Sequence, residues 1–219
     1  MNDRSVIGIC SAGSGIGQAV INACRLSALP VSTVGLGNNE LAFGIYECDR
    51  FCTIPSYRDA EYVDRLGAVC DRFGIDVLIP GHDDEALVLS RNAASFAARG
   101  VQVLASSAEL IGICRRKEAL RDAFPEAQEL FCKSYTGAEL LEADSVSVSY
   151  PLVAKPRSGF GSRGVSIIRS AAEVAGSDSD LIFQEIAAPA RSDPHHESFC
   201  RALENGRNAQ VAEVSLQLV

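Results

Sequence analysis

Two glycine-rich stretches carry the residue types that handle phosphate: ICSAGSGIGQAV at residues 9–20 and KPRSGFGSRGVSII at residues 155–168. A dinucleotide fingerprint, G-x-G-x-x-G, places glycines for the turn, the pyrophosphate approach and the helix packing. Counted from Gly13, the first stretch gives Gly13 and Gly15 but puts Gln18 third, so the spacing fails. The short-chain dehydrogenase pattern fits better through Gly15-Ile16-Gly17, but Cys10 and Ser11 replace its Thr-Gly. That chemistry also needs Tyr-x-x-x-Lys, in which lysine lowers the tyrosine pKa. Tyr150 and Lys155 are one residue too far apart, and Asn38, Asn39 and Glu40 follow the second strand where a ribose-binding acid belongs. A tight strand-to-helix turn accounts for these glycines without a nicotinamide.

In the second stretch, Gly159, Gly161 and Gly164 satisfy the spacing literally, but the context is strand–loop–strand rather than strand–helix. No G-x-x-x-x-G-K-[ST] is present, which excludes a P-loop. A glycine-rich hairpin behind a lysine can fold backbone N–H groups over a triphosphate while the ammonium pairs with its oxygens. An ordinary connecting hairpin is the alternative. His195, His196 and Cys200 lack further ligands at metal spacing and read as a solvated loop. Asp83, Asp84 and Glu85 read first as the acidic first turn of a helix.

The elements that must position these residues change character near residue 115. Before it, β-rich runs at 5–10, 31–36, 51–55, 75–80 and 101–106 alternate with helical patterns at 15–29, 59–74 and 83–100. Strands separated by helices predict parallel βαβ units with ligands at the carboxyl ends of the strands. After it, helical segments at 116–124 and 137–143 precede strands at 146–156, 164–169 and 180–186. SFCRAL and AQVAEVSLQLV read as two further strands around the Asn-Gly of ENGR. The 187–196 stretch reads as a flexible loop.

Composition sets the outer limits. The net charge of −8 is shared evenly by residues 1–115 (9 basic, 13 acidic) and 116–219 (11 basic, 15 acidic), so neither part is a basic nucleic-acid module. No apolar run approaches a membrane span and no signal peptide is evident. The eight cysteines form no Cys-x-x-Cys pair and read as free thiols of a reducing compartment, which predicts a cytoplasmic protein.

YPLVAKPRSGFGSRGVSII, followed by LIFQEI, resembles the ATP-grasp superfamily. IPGHDDEALVLS (79–90) and GVQVLASSAELIGICRRKEALRDAF (100–124) are similar to the domain that precedes it in carbamoyl-phosphate synthase large-subunit-like proteins. The resemblance runs from residue 5 to about 186. It implies an α/β fold: a Rossmann-like parallel-sheet domain at 1–115 that does not hold NAD, then an incomplete α+β ATP-grasp domain. The latter divides into a lid subdomain at 116–186 and the start of a C-terminal subdomain at 187–219.

By the same resemblance Lys117 and Lys155 reach ATP phosphates, and Ser158, Gly159, Gly161, Ser162 and Gly164 belong to the phosphate lid. Gln184, Glu185, Ile186 and Ala187 match the hinge strand at the adenine, Glu197 the ribose contact, and Asp84 a substrate contact. The activity implied is ATP-dependent ligation, in which a carboxylate or bicarbonate becomes an acyl phosphate that an amine attacks. A non-catalytic nucleotide-binding module is the alternative, and an NAD(P) oxidoreductase ranks third. The implied partners are ATP, a small carboxylate and a downstream polypeptide, and a homodimer is admitted. The family's Mg2+ ligands are expected beyond residue 219, so the chain reads as one part of a ligase that binds ATP without turning over alone.

Overall fold

The computed structural model describes residues 4–116, 119–142, 148–157, 163–189 and 191–205. The chain forms two compact units, Met1–Arg115 and Arg116–Val219. No helix among the described residues is long and apolar enough to cross a membrane.

The first unit is a parallel sheet of β1 (Ser5–Ile9), β2 (Val31–Gly37), β3 (Arg50–Thr53), β4 (Val77–Ile79) and β5 (Gln102–Val103). The strand order is β3-β2-β1-β4-β5, so the chain reverses direction across the sheet beside β1. Helix α1 (Gly15–Leu26) covers one face, where Ile9, Ala12 and Ile21 are fully buried. Helices α2 (Tyr62–Phe73), α3 (Asp83–Arg91) and α4 (Ala93–Ala97) belong to the larger cluster on the other face, with Val34, Leu36, Leu66, Leu78, Leu89 and Phe96 at its centre. The alternation of Ile7 and Ile9 toward α1 with Val6 and Cys10 toward the larger cluster follows from the two-residue period of a strand. Helix α5 (Ala108–Arg115) closes the unit.

Local chemistry sets the ends. Ser14 caps α1 by accepting from Gly17 N–H at 2.9 Å. Gly74 ends α2 at φ 63°, a left-handed conformation that glycine adopts without a Cβ penalty. The single helix expected over 83–100 is broken at Asn92, whose side-chain amide donates to the Val88 carbonyl at 2.8 Å and competes with the helical ladder.

The second unit is an antiparallel sheet ordered β6-β9-β7-β8, made of β6 (Ser134–Thr136), β7 (Leu152–Pro156), β8 (Ser166–Ile168) and β9 (Leu181–Glu185). Helix α6 (Leu120–Ala123) precedes β6, α7 (Gly137–Leu141) follows it, and α8 (Ala171–Ala175) links β8 to β9. Leu140 of α7 and Val174 of α8 pack on Leu152, Ala154, Ile168 and Phe183, so one face of the sheet is covered. Thr136 and Glu139 form a reciprocal capping box at the start of α7.

SFCRAL is a correction: it lies in helix α9 (His196–Glu204), not in a strand. The Glu197–Arg201 pair joins positions four apart on the exposed side of the helix, and Phe199 is its buried position. The strand expected at the end of the chain lies outside the described residues.

Two glycines of α1 separate packing from propensity. A Cβ on Gly17 would lie 2.6 Å from the Ser11 carbonyl oxygen and 2.9 Å from Ala12 Cα, whereas one on Gly15 would meet nothing within 4 Å. Gly17→Ala is therefore expected to destabilise the chain by about 1–3 kcal/mol through overpacking against backbone. Gly15→Ala should be neutral or gain up to about 1 kcal/mol of helix propensity. Urea denaturation of both variants checks this. Equal effects would show that the turn does not press on Gly17.

Candidate functional site

Sheet parity sorts the candidate residues of the second unit. Leu152, Ala154 and Phe183 face the helices, so Val153, Lys155, Ile182 and Gln184 face the other way. Lys155 Nζ donates to Gln184 Oε1 at 2.6 Å. The Gln184 amide nitrogen donates in turn to Ser134 Oγ at 3.0 Å and to the Cys132 carbonyl at 3.4 Å. Since Ser134 pairs directly with Gln184 across the β6–β9 ladder, three strands hold one polar row with the ammonium at its end.

Glu185 lies on the helix-covered face, registered with Leu152, and its carboxylate accepts from the Tyr135 hydroxyl at 2.9 Å. Burial first, and then that bond, push the Tyr135 hydroxyl above its ordinary range. The side chains of Gln184 and Glu185 therefore point to opposite faces. Ile186 is half-buried and Ala187 exposed just after the strand.

β7 and β8 are antiparallel neighbours, so the glycine segment does connect a hairpin. Gly164 has φ 70°, and a Cβ there would approach Pro156 to 3.0 Å. Lys117, Ser158, Gly159, Gly161 and Ser162 lie outside the described residues. Glu197 lies in the first turn of α9, exposed and paired with Arg201 at 3.2 Å. His196 and Cys200 lie on the same helix rather than in a loop. Among the described residues no three His, Cys, Asp or Glu side chains gather to hold a metal ion.

In the first unit the switch beside β1 is closed by the chain itself. Ser14 Oγ donates to the Gly81 carbonyl at 2.8 Å, and a Cβ on Gly81 would lie 2.4 Å from the Cys10 carbonyl oxygen. The crevice between β1 and β2 is narrowed too, because a Cβ on Gly13 would meet Ala42 Cβ at 2.6 Å. One on Gly44 would reach the Ala12 carbonyl at 2.1 Å. An open cleft of about 200 Å³ remains, lined by Ser11, Gly13, Ser14, Asn38, Asn39 and Ala42 among others. The glycines thus admit the close approach of the chain's own 42–47 turn.

Asp84 is half-buried and ion-paired with Arg115, and its backbone N–H donates to His82 Nδ1 at 3.1 Å. The residue missed by sequence reasoning is its neighbour. Glu85 is 2% exposed, with Oε1 accepting from the Tyr62 hydroxyl at 2.8 Å and Oε2 from Gly81 N–H at 3.0 Å. Burial raises its pKa, opposed by hydrogen bonds from Tyr62, Gly81 and Ser11. An acid in a helix's first turn, four residues after a turn glycine, is the signal that could have marked it. The β6 strand was also missed, although Thr136-x-x-Glu139 announces the helix after it.

Residues 7–104 match the family described as PylC-like, N-terminal domain. Over 116 residues the chain is 37% identical to the formate-dependent phosphoribosylglycinamide formyltransferase of Bifidobacterium adolescentis, covering 52% of this chain and 28% of that protein. The fold is similar to that of N5-carboxyaminoimidazole synthetase from Staphylococcus aureus complexed with ADP. That match has TM-score 0.60 and 14% identity, over 84% of this chain and 48% of the other. It is also similar to the biotin carboxylase domain dimer of Hydrogenobacter thermophilus 2-oxoglutarate carboxylase, in complex with MgADP, ADP and bicarbonate. There the TM-score is 0.57 and the identity 17%, over 84% of this chain and 44% of the other. The chain thus spans less than half the length of each of these proteins.

Glu85 generates a stability prediction with a defined sign. The folded chain holds its proton more tightly than an unfolded one, so its contribution is fully present below about pH 4.3. It is lost as the pH rises through the raised folded value. The stability of wild type relative to Glu85→Gln should therefore fall as the pH rises above about 4.3, read by urea denaturation. Glu85→Ala, which orphans Tyr62 and Gly81, should cost about 1–3 kcal/mol. A difference between wild type and Glu85→Gln that is flat with pH would show that Glu85 is not the titrating group.

Proposed function

We propose that this chain, whose residues 7–104 match the PylC-like N-terminal domain family, is a member of the ATP-grasp superfamily and the ATP-binding part of a ligase that activates a small carboxylate. The observation that carries the reading is the Lys155 ammonium, set by Gln184 on the face of β7 and β9 turned away from the helices, at the root of the glycine hairpin. A lysine fixed in this way offers charge to phosphate oxygens without reorganising as they arrive. The hairpin's glycines supply backbone that can close over the same oxygens.

In the whole protein the γ-phosphoryl group passes to a carboxylate oxygen, ADP leaves, and the acyl phosphate takes an amine-type nucleophile at carbon with loss of phosphate. The acids named for the similar proteins, formate and bicarbonate, support a small acid. They widen the reading beyond carbamoyl-phosphate synthesis to carboxylate activation in general. Lys117 and residues 158–164 are assigned to the phosphates, the 184–187 hinge to the adenine and Glu197 to the ribose, all by resemblance. Because Glu185 turns its carboxylate toward Tyr135, the adenine contact of this hinge falls to backbone groups. Asp84 as a substrate contact requires its pairing with Arg115 to yield, so it ranks lowest. The Mg2+ that would accompany the nucleotide has no cluster of protein ligands among the described residues. A downstream polypeptide and a homodimer belong to the same reading, the latter supported by the dimer named for the similar biotin carboxylase domain.

Thermal shift with ATP, ADP, NAD and NADP tests it. Stabilisation by the adenine nucleotides ATP and ADP is expected, and stabilisation by NADP alone would sink the reading. By isothermal titration, Lys155→Ala should weaken ATP binding by about 1–3 kcal/mol, as expected for losing a hydrogen bond to a charged group. Lys133→Ala should change it little. Equal losses from the two would mean that the ammonium assignment is wrong.

A further inference from the structure

Helix α9 brings a thiol and an imidazole together outside the nucleotide site. Cys200 Sγ lies 3.7 Å from His196 Nε2, one turn away on the same helix. The other ring nitrogen, Nδ1, lies 2.8 Å from the Pro189 carbonyl oxygen. A carbonyl oxygen only accepts, so Nδ1 carries the proton, and in the neutral ring Nε2 offers its lone pair to the thiol. Nucleophile, base and a third group that orients the base are the three parts of an activated thiol. Phe199 is buried and anchors the helix, while the Glu197–Arg201 pair is solvated. Cys200 and His196 are both half-buried, which leaves the sulfur reachable.

Six of the other seven cysteines differ from it in identifiable ways. Burial pushes the thiols of Cys10 and Cys24 up, that of Cys48 to about 11 and that of Cys70 to about 12, so these hold their protons. Cys48 and Cys52 point at carbonyls, of Gly44 at 3.5 Å and of Thr53 at 3.6 Å. Cys114 is exposed on α5.

We propose that Cys200, with His196 as its base, is a site of thiol–disulfide exchange with small-molecule disulfides. The Sγ proton passes to His196 Nε2 as Sγ attacks one sulfur of the disulfide. A new S–S bond joins Cys200 to that half, the original S–S bond breaks, and the departing thiolate takes the proton from the imidazolium. The exchange is balanced and needs no further oxidant.

The test treats the full chain with glutathione disulfide and follows each cysteine by peptide mass spectrometry. Cys200 should be modified about tenfold or more faster than the more exposed Cys114, a threshold set below the roughly hundredfold lower end of base-assisted catalysis. Cys114 is a stringent comparator, since Arg115 and Arg116 follow it directly in the chain. His196→Gln should bring Cys200 down to the Cys114 rate and leave Cys114 unchanged. Should that variant fail to fold, the wild-type chain decides, because the rate ratio must fall to about one in urea. A native Cys200 rate no faster than that of Cys114, a ratio that persists in urea, or a folded His196→Gln variant with unchanged Cys200 rate would each overturn the proposal.

Discussion

The carboxylate of Glu85 stands at the carboxyl end of the parallel sheet, out of water, with one oxygen on the Tyr62 hydroxyl and the other on Gly81 N–H. Everything at that end of the first unit hangs on the turn it holds. Gly81 carries the carbonyl that Ser14 binds, and Ser14 also caps α1. Through these contacts α2, α3 and α1 are referred to one point on the sheet. A buried acid is an expensive way to do this, and it is tolerated because both oxygens are taken and burial favours the neutral form.

The second unit solves a different problem, that of keeping a cation oriented on a sheet face. Lysine has a flexible stem and loses rotamer freedom when held. Gln184 limits that loss by presenting its oxygen at 2.6 Å, and its own amide is fixed by Ser134 and the Cys132 carbonyl. The row crosses β6, β9 and β7, so its geometry is set by the ladder and not by a loop. On the opposite face Tyr135 and Glu185 form a second polar pair beside an apolar cluster.

Much of this was legible in the sequence. Apolar runs alternating with helical stripes gave the parallel sheet, and the strand–loop–strand context gave the β7–β8 hairpin. What escaped depends on partners distant along the chain. Glu85 looks like any first-turn acid until Tyr62 arrives from 23 positions away. Asn92 fits a helical pattern until its side chain takes the Val88 carbonyl. SFCRAL has strand-like residues over too short a span for periodicity to arbitrate, and the Glu197–Arg201 spacing was the better guide. Lys155 and the hinge could be named by resemblance, but that Gln184 and Glu185 serve opposite faces follows from register with β7, which no single stretch displays.

The turn at residues 42–47 inverts the usual order of large side chains inside and small ones outside. Ala42 and Gly44 lie against Gly13 and Ala12, while Leu41, Phe43 and Tyr46 are 84%, 69% and 72% exposed. Mutational tolerance along this segment should therefore run against size. The bulky aromatics are free to drift toward polar residues, whereas the smallest positions are the ones that sequence variation must leave alone. Over time such a turn would be recognised by its one alanine and one glycine, long after its rings had changed.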